Sequence, residues 1–193
     1  MNLPNKITTL RILLIIPLWI FCSFLNFYSI LIATILGIII CVLDRVDGYL
    51  AIKYKLITDF GKIFDPIVDK IFMATAFTFF ASVGMMPFSI VAIFLARMFI
   101  IGGIRILSAT NKHIIQADFW GKIKTLFQNL TALFFALGLL HHLYVRDFQA
   151  VGIIDEEFMK AAVLNPLLYL TLAITVISLI NYIYNNRNIF KDF

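Results

Sequence analysis

Five aspartates stand close together in a sequence that is otherwise strongly apolar: Asp44, Asp47, Asp59, Asp65 and Asp69. An ionised carboxylate at the centre of a bilayer costs about 2.5–3.5 kcal/mol on insertion scales, so such residues usually face protein or water and serve a function. Carboxylate oxygens are ligands for hard divalent cations such as Mg²⁺, and two such ions can hold both oxygens of a phosphoryl displacement. This acidic segment is therefore a candidate metal site.

The spacing of the acids and of the small residues between them predicts two helix faces. The first face carries residues at i, i+3, i+4 and i+7: Asp44, Asp47, Gly48 and Ala51. The second carries residues at i, i+4 and i+8: Gly61, Asp65 and Asp69. A short connection makes the two helices antiparallel neighbours, so we expect two carboxylates from each to converge at one end of a bundle. The small residues leave room for a ligand, and Asp59 is expected to cap the second helix.

Two other interpretations of these acids remain open. The carboxylates could pair with the nearby cations Arg45, Lys62 and Lys70 and only hold helices together. They could also line an ion or proton pathway, as intramembrane carboxylates do in transporters. Four acids on two matching faces exceed what packing needs, and they lie towards one membrane side rather than through its depth. Both observations favour the metal site.

The composition predicts an all-α integral membrane protein. Of its 193 residues 62% are hydrophobic and 14% charged, against about 45–50% and about 25% in soluble domains. Apolar runs of the length of a bilayer span, about 20 residues, predict six transmembrane helices near residues 7–26, 29–52, 60–82, 88–109, 119–144 and 165–186. Strands of a barrel would alternate strictly, and no such alternation is present. We expect one membrane domain over residues 1–193.

The distribution of basic residues predicts the orientation in the membrane. With six spans and both termini inside, only Arg146 and Lys160 of the 16 Lys and Arg residues fall outside. Positively charged residues mark the inner side, so we expect a multi-pass protein of the cell membrane with both termini cytoplasmic. Its basic face suits anionic lipid headgroups or phosphorylated substrates. Nucleic acid is not an expected partner, because the basic residues are spread over several segments.

The acidic segment resembles the signature of the CDP-alcohol phosphotransferases, Asp-x2-Asp-Gly-x2-Ala-Arg-x8-Gly-x3-Asp-x3-Asp. Seven of its eight fixed positions match, and Ile52 stands where the signature has Arg. The segments "NLPNKITTLRILLIIPL" and "ARMFIIGGIRILSATNK…WGKIKTLFQNL" are similar to phosphatidylglycerophosphate synthases within that family. Those synthases usually have Glu where Met98 stands here. The likeness covers roughly two thirds of the chain.

The resemblance implies a reaction and a set of site residues. The reaction is transfer of the phosphatidyl group from CDP-diacylglycerol to sn-glycerol 3-phosphate, giving phosphatidylglycerophosphate and CMP at the cytoplasmic side of a six-helix homodimer. The resemblance implies two Mg²⁺ or Mn²⁺ ions on four ligands, the last of which is also the general base: Asp44, Asp47, Asp65 and Asp69. It assigns contacts with CDP-diacylglycerol to five small residues: Thr8, Gly48, Ala51, Thr58 and Gly61.

The acceptor's phosphate group needs cationic residues of its own. Glycerol phosphate carries about two negative charges at neutral pH, as a phosphorylated side chain does. Arg97 and Arg105 are eight residues apart, hence on roughly one helix face, while Lys122 and Lys124 open the fifth span. We expect these four residues to bind the glycerol phosphate, with Arg suited to bidentate contact. They could instead be ordinary anchors at the inner membrane surface.

Two alternatives within this family remain open, and Ile52 is the reason for the first. In the family the Arg at this position helps to bind the nucleotide's phosphates, and Ile offers no charge, although Lys53 and Lys55 follow directly. A catalytically impaired paralogue that still folds is one alternative. Another acceptor alcohol, such as inositol phosphate or serine, is the second. An ion-conducting or scaffolding bundle would release no CMP.

Overall fold

The computed structural model describes residues 3–54, 59–110, 119–150, 152 and 154–187, and this part of the chain is helical without strands. Six long helices form where the six spans are predicted, and a short helix, α6, precedes the last. Their bounds are α1 Leu3–Cys22, α2 Phe27–Lys53, α3 Asp59–Ser82, α4 Phe88–Thr110, α5 Phe119–Phe148, α6 Glu156–Met159 and α7 Asn165–Asn185. A π-helical turn, Lys160–Leu164, joins α6 to α7.

The first helix begins and ends four residues earlier than the predicted span 7–26. The earlier end of α1 reflects Asn26, whose side-chain oxygen accepts a hydrogen bond from the backbone N–H of Ser29 at 3.0 Å and so caps the start of α2. The chain turns before this cap, although Phe24 and Leu25 extend the apolar run in the sequence. The boundary is therefore set by a polar cap and not by hydropathy.

In the part of the chain that the structure describes, five helical segments are long and apolar enough to cross a membrane: Pro4–Cys22, Phe27–Leu50, Phe88–Arg105, Phe119–Phe148 and Glu157–Asn185. Helix α3 is not among them, and its first half contains Asp59, Lys62, Asp65, Asp69 and Lys70. The all-α membrane class is thus supported. The sixth crossing and the cytoplasmic position of the termini stay predictions.

The chain divides into two compact units, and the first consists of Met1–Phe79 and Ala136–Ile153. Helix α1 buries one stripe at helical spacing: Pro4, Thr8, Arg11, Ile15 and Leu18. It packs antiparallel against α2, and a Cβ added to Gly37 of α2 would lie 3.6 Å from the ring of Phe72 and 3.9 Å from Leu18. The three helices are therefore closely packed where α2 carries a glycine.

Aromatic rings and one carboxylate pack together at the end of the first unit that lies away from the acids. The backbone N–H of Phe27 donates to Asp147 at 2.8 Å, and the Phe27 ring lies against those of Tyr144 and Phe148 with centroids 5.7 and 5.5 Å away. Arg146 donates to the carbonyl of Leu25. The last turn of α5 is thereby fixed to the turn between α1 and α2.

The second unit consists of Phe80–Phe135 and Ile154–Phe193. Its α7 carries a stripe of fully buried hydroxyl residues at i, i+4 and i+7: Thr171, Thr175 and Ser178. Thr171 shares a 2.7 Å hydrogen bond with Thr131 of α5. Hydroxyl groups that bond across or within helices are a common means of association between membrane helices, where apolar burial supplies little drive.

Candidate active site

The N-terminal half of α1 supplies a buried cation to the acids of α2. Arg11 is only 1% exposed, and its guanidinium lies 2.7 Å from a carboxylate oxygen of Asp44 and 3.3 Å from one of Asp47. The two acids are three residues apart and so share a helix face. One guanidinium thus bridges both acids of the first predicted face.

The second predicted face is held by the same stretch of α1. The Thr8 hydroxyl, itself buried, donates to a carboxylate oxygen of Asp65 at 2.6 Å. Arg11, three residues after Thr8 on the same helix, contacts Asp44 and Asp47. Asp65 of α3 and the two acids of α2 therefore meet the same stretch of α1, while the individual roles of the acids stay predictions.

The donor set fits a hard divalent cation by its chemistry. Four carboxylates from two neighbouring helix segments supply the oxygen ligands that Mg²⁺ prefers, and uncompensated they would repel one another. Within the described residues no three His, Cys, Asp or Glu side chains are grouped closely enough to hold one ion. Arg11 instead provides the positive charge for Asp44 and Asp47. The residues that would hold a metal remain the predicted four: Asp44, Asp47, Asp65 and Asp69.

The predicted contacts with CDP-diacylglycerol differ in what surrounds them. Gly48 adjoins open space, since a Cβ added there would meet nothing within 4 Å. The Thr8 hydroxyl donates a hydrogen bond to Asp65, and Gly61 lies on α3 one turn before that acid. Thr58 lies outside the described residues, and Ala51 lies in α2 with a side chain outside the described part.

The four predicted phosphate-binding cations all belong to the second unit. The Arg97 guanidinium of α4 donates to the Ser178 hydroxyl of α7 at 2.8 Å, and Lys124 of α5 is 8% exposed. Arg105 and Lys122 are exposed, as the alternative role of surface anchors also predicts. Arg97 is half-buried and Lys124 is buried, so these two are less exposed than Arg105 and Lys122.

Sequence reasoning missed two partners of charged residues. The alternative to the metal site paired the acids with Arg45, Lys62 and Lys70, whereas the bonds to Asp44 and Asp47 come from Arg11. The available signal was a cation inside the apolar run of α1, three residues after Thr8 and on its face. Ser178 was missed too, although the hydroxyl stripe of the last span predicts a polar helix face.

Comparison with known proteins agrees with the signature. The sequence model of the CDP-alcohol phosphatidyltransferase family matches residues 1–181. The CDP-diacylglycerol–glycerol-3-phosphate 3-phosphatidyltransferase of Bacillus subtilis is 34% identical over 74% of this chain and 78% of its own. The protein of the same name in Rickettsia felis is 30% identical over 89% of this chain and 90% of its own. A probable phosphatidylglycerophosphate synthase of Mycobacterium tuberculosis is 30% identical over 75% and 70%, respectively.

Members of this family are generally dependent on divalent metal ions, which agrees with the carboxylate donor set of α2 and α3. The family match covers both units of the structure, and the Rickettsia relative is matched over almost its whole length. The chain therefore belongs to the CDP-alcohol phosphatidyltransferase family and is a transferase.

Proposed function

We propose that this protein transfers the phosphatidyl group of CDP-diacylglycerol to sn-glycerol 3-phosphate, releasing CMP and phosphatidylglycerophosphate. The observation that carries the proposal is the set of acids on α2 and α3, in a chain whose relatives are named for that reaction. The proposal includes six membrane crossings, both termini in the cytoplasm and the acids at the cytoplasmic side of the cell membrane. It also includes a homodimer.

In the proposed reaction Asp69 is the general base. An alcohol is a poor nucleophile at neutral pH, so a carboxylate that takes its proton during attack accelerates the step. The glycerol oxygen then forms a bond to the β-phosphorus of CDP-diacylglycerol, and the bond between that phosphorus and the oxygen of CMP breaks. Bound Mg²⁺ or Mn²⁺, two ions in this proposal, would offset the negative charge on the pyrophosphate.

The acceptor's phosphate is proposed to bind to Arg97, Arg105, Lys122 and Lys124. Guanidinium and ammonium groups pair with phosphate through charge-assisted hydrogen bonds, which are stronger than neutral ones. These groups hold the acceptor and take no part in bond breaking. The nucleotide is proposed to lie beside α2, where Gly48 leaves open space.

The test is CMP release by the purified protein in detergent, given CDP-diacylglycerol with and without glycerol 3-phosphate and Mg²⁺ or Mn²⁺. Release that requires both the acceptor and a metal supports the proposal. The Asp69→Asn variant keeps the shape of the side chain and removes the base, so we expect its turnover to be lost while its thermal unfolding is unchanged. Turnover like the wild type in that variant would remove Asp69 from the role.

Acceptor choice is tested in the same assay. Inositol phosphate and serine are supplied in place of glycerol 3-phosphate, and the lipid product is identified by mass. Release with one of these alone would assign a different acceptor to the same chemistry. A folded protein that releases no CMP with any acceptor would be the impaired paralogue that Ile52 suggests.

A further inference from the structure

Ser178 lies in α7, outside the motif segments that resemble the family, yet it bonds to a predicted binding residue. Its hydroxyl accepts a hydrogen bond from a terminal nitrogen of Arg97 at 2.8 Å, across 81 positions of sequence. Ser178 is fully buried, so its hydroxyl oxygen is shielded from water. The contact joins the middle of α4 to the second half of α7.

The packing around this bond fixes the two helices relative to each other. One face of α4 carries Arg97, Ile101 and Ile104 at i, i+4 and i+7. The two isoleucines pack with Tyr182 of α7, one turn after Ser178. The helices therefore run parallel along this face, and the apolar contact holds the serine at the height of the guanidinium.

We propose that Ser178 is a positioning residue for the acceptor's phosphate group, acting through Arg97. This inference rests on the proposed function, which places Arg97 in the binding site for glycerol phosphate. A guanidinium is a planar group with five N–H donors in a fixed fork. Anchoring one donor fixes the plane of the fork, and with it the direction in which the others meet two oxygens of a phosphate.

The prediction for turnover separates the two substrates. Ser178→Ala removes one hydrogen bond to a charged group, and the loss of such a bond corresponds to about a tenfold effect. We expect KM for glycerol 3-phosphate to rise about tenfold, with KM for CDP-diacylglycerol unchanged. Ser178→Thr keeps the hydroxyl and should restore the acceptor KM. Ser178→Cys is nearly isosteric, but its sulfur is a weak hydrogen-bond acceptor, so its acceptor KM should resemble that of Ser178→Ala. This variant provides the same test if the alanine variant does not fold.

Thr175 provides the matched control. It lies on the same face of α7, is also fully buried, and donates its hydroxyl to the Thr171 carbonyl of its own helix at 2.7 Å. Thr175→Ala should lower stability slightly and leave the acceptor KM unchanged. If Ser178 had only a structural role, the variants at both positions would act alike and would affect both substrates equally.

A binding measurement separates this inference from the proposed function. Thermal stabilisation of the detergent-purified protein is followed as glycerol 3-phosphate, or inorganic phosphate, is added without CDP-diacylglycerol. We expect the Ser178→Ala variant to require about tenfold more of either anion than the wild type. If the variant needs more anion than the wild type but the wild type releases no CMP, the proposed reaction is overturned and the positioning role of Ser178 is kept. Equal responses, or no stabilisation of the wild type, would overturn the role of Ser178 whatever the turnover.

Discussion

Arg11 and Asp47 form a buried ion pair between α1 and α2, with side chains 1% and 4% exposed and a nitrogen to oxygen distance of 3.3 Å. The same guanidinium also reaches Asp44, whose side chain is 42% exposed. A buried pair contributes little net stability compared with apolar packing, but removing one partner leaves an uncompensated buried charge. Arg11 therefore lowers the free-energy penalty of holding the charged side chains of Asp44 and Asp47 in the folded protein.

The first prediction concerns the replacement Arg11→Met, which keeps much of the apolar stem and removes the charge. Breaking a buried pair typically costs about 3–5 kcal/mol, so we expect the free energy of unfolding to fall by about 3 kcal/mol in the presence of a chelator. Added Mg²⁺ should recover part of the loss, because a divalent cation at the acids replaces the missing charge. The measurement is unfolding in detergent with and without metal.

The control for this replacement is Arg45→Met, which makes the same change in net charge one residue after Asp44. Arg45 is exposed, and exposed charges contribute only about 0–1 kcal/mol. The Arg45 variant should therefore unfold nearly as the wild type does. A loss of equal size in both variants would show that net charge, rather than the bridge from Arg11, is what matters.

The second prediction concerns the bond from Thr8 to Asp65. Thr8→Val keeps the shape and removes the hydroxyl that donates at 2.6 Å. Partners that orient a metal-binding carboxylate are typically worth about 10–100-fold in metal affinity or activity. We expect Mn²⁺ binding, followed by electron paramagnetic resonance, to weaken by at least about tenfold, together with the metal dependence of turnover.

Thr9 is the matched control for Thr8. It is the next residue of α1, and its hydroxyl donates to the Asn5 carbonyl of the same helix at 2.9 Å. Thr9→Val should bind Mn²⁺ as the wild type does. Equal weakening in both valine variants would mean that helix α1 itself is disturbed, and Mn²⁺ binding unchanged in Thr8→Val would separate Asp65 from the metal.

The helices and the acidic faces could be predicted from sequence because both depend on local periodicity. Apolar runs of span length predicted the long helices. The i, i+3, i+4 spacing of Asp44, Asp47 and Gly48 predicted that they share a helix face, and all three lie within α2. The end of α1 was misplaced, because a single cap at Asn26 overrides a continuous apolar run. Hydropathy averages over many residues and does not detect one hydrogen bond.

The partners of the charged residues could not be predicted in the same way. Arg11 lies 36 positions from Asp47, and Ser178 lies 81 positions from Arg97. Spacing along one helix states which residues share a face, but it does not state which faces of two distant helices meet. The hypothesis that Arg45, Lys62 or Lys70 pair with the acids relied on nearness in sequence, whereas packing of α1 on α2 selected Arg11 for Asp44 and Asp47.

The third prediction concerns the open space beside Gly48. A Cβ added there would meet nothing within 4 Å, and alanine is favoured over glycine inside a helix by about 1 kcal/mol. Gly48→Ala should therefore stabilise the protein slightly in the absence of substrate. If the nucleotide occupies this space, the same change should raise KM for CDP-diacylglycerol several-fold. A stabilised variant with an unchanged KM would place the nucleotide elsewhere.

The last prediction concerns Ile52, where the family signature has Arg. Helix α2 continues through Lys53, so position 52 follows Gly48 by about one helical turn. A guanidinium introduced there would meet the nucleotide's phosphates if these lie beside α2. A hydrogen bond to a charged group is worth about 1.5–3 kcal/mol, so Ile52→Arg should lower KM for CDP-diacylglycerol by at least about tenfold.

The controls for position 52 separate charge from shape. Ile52→Leu keeps an apolar side chain and should leave KM for CDP-diacylglycerol unchanged, and Lys53→Met tests whether the next residue already supplies the charge. A large rise in KM in Lys53→Met, with no gain in Ile52→Arg, would show that the neighbouring lysine has taken over the contact. Weaker substrate binding in Ile52→Arg with an unaltered Lys53→Met would mean that the phosphates do not lie at this end of α2.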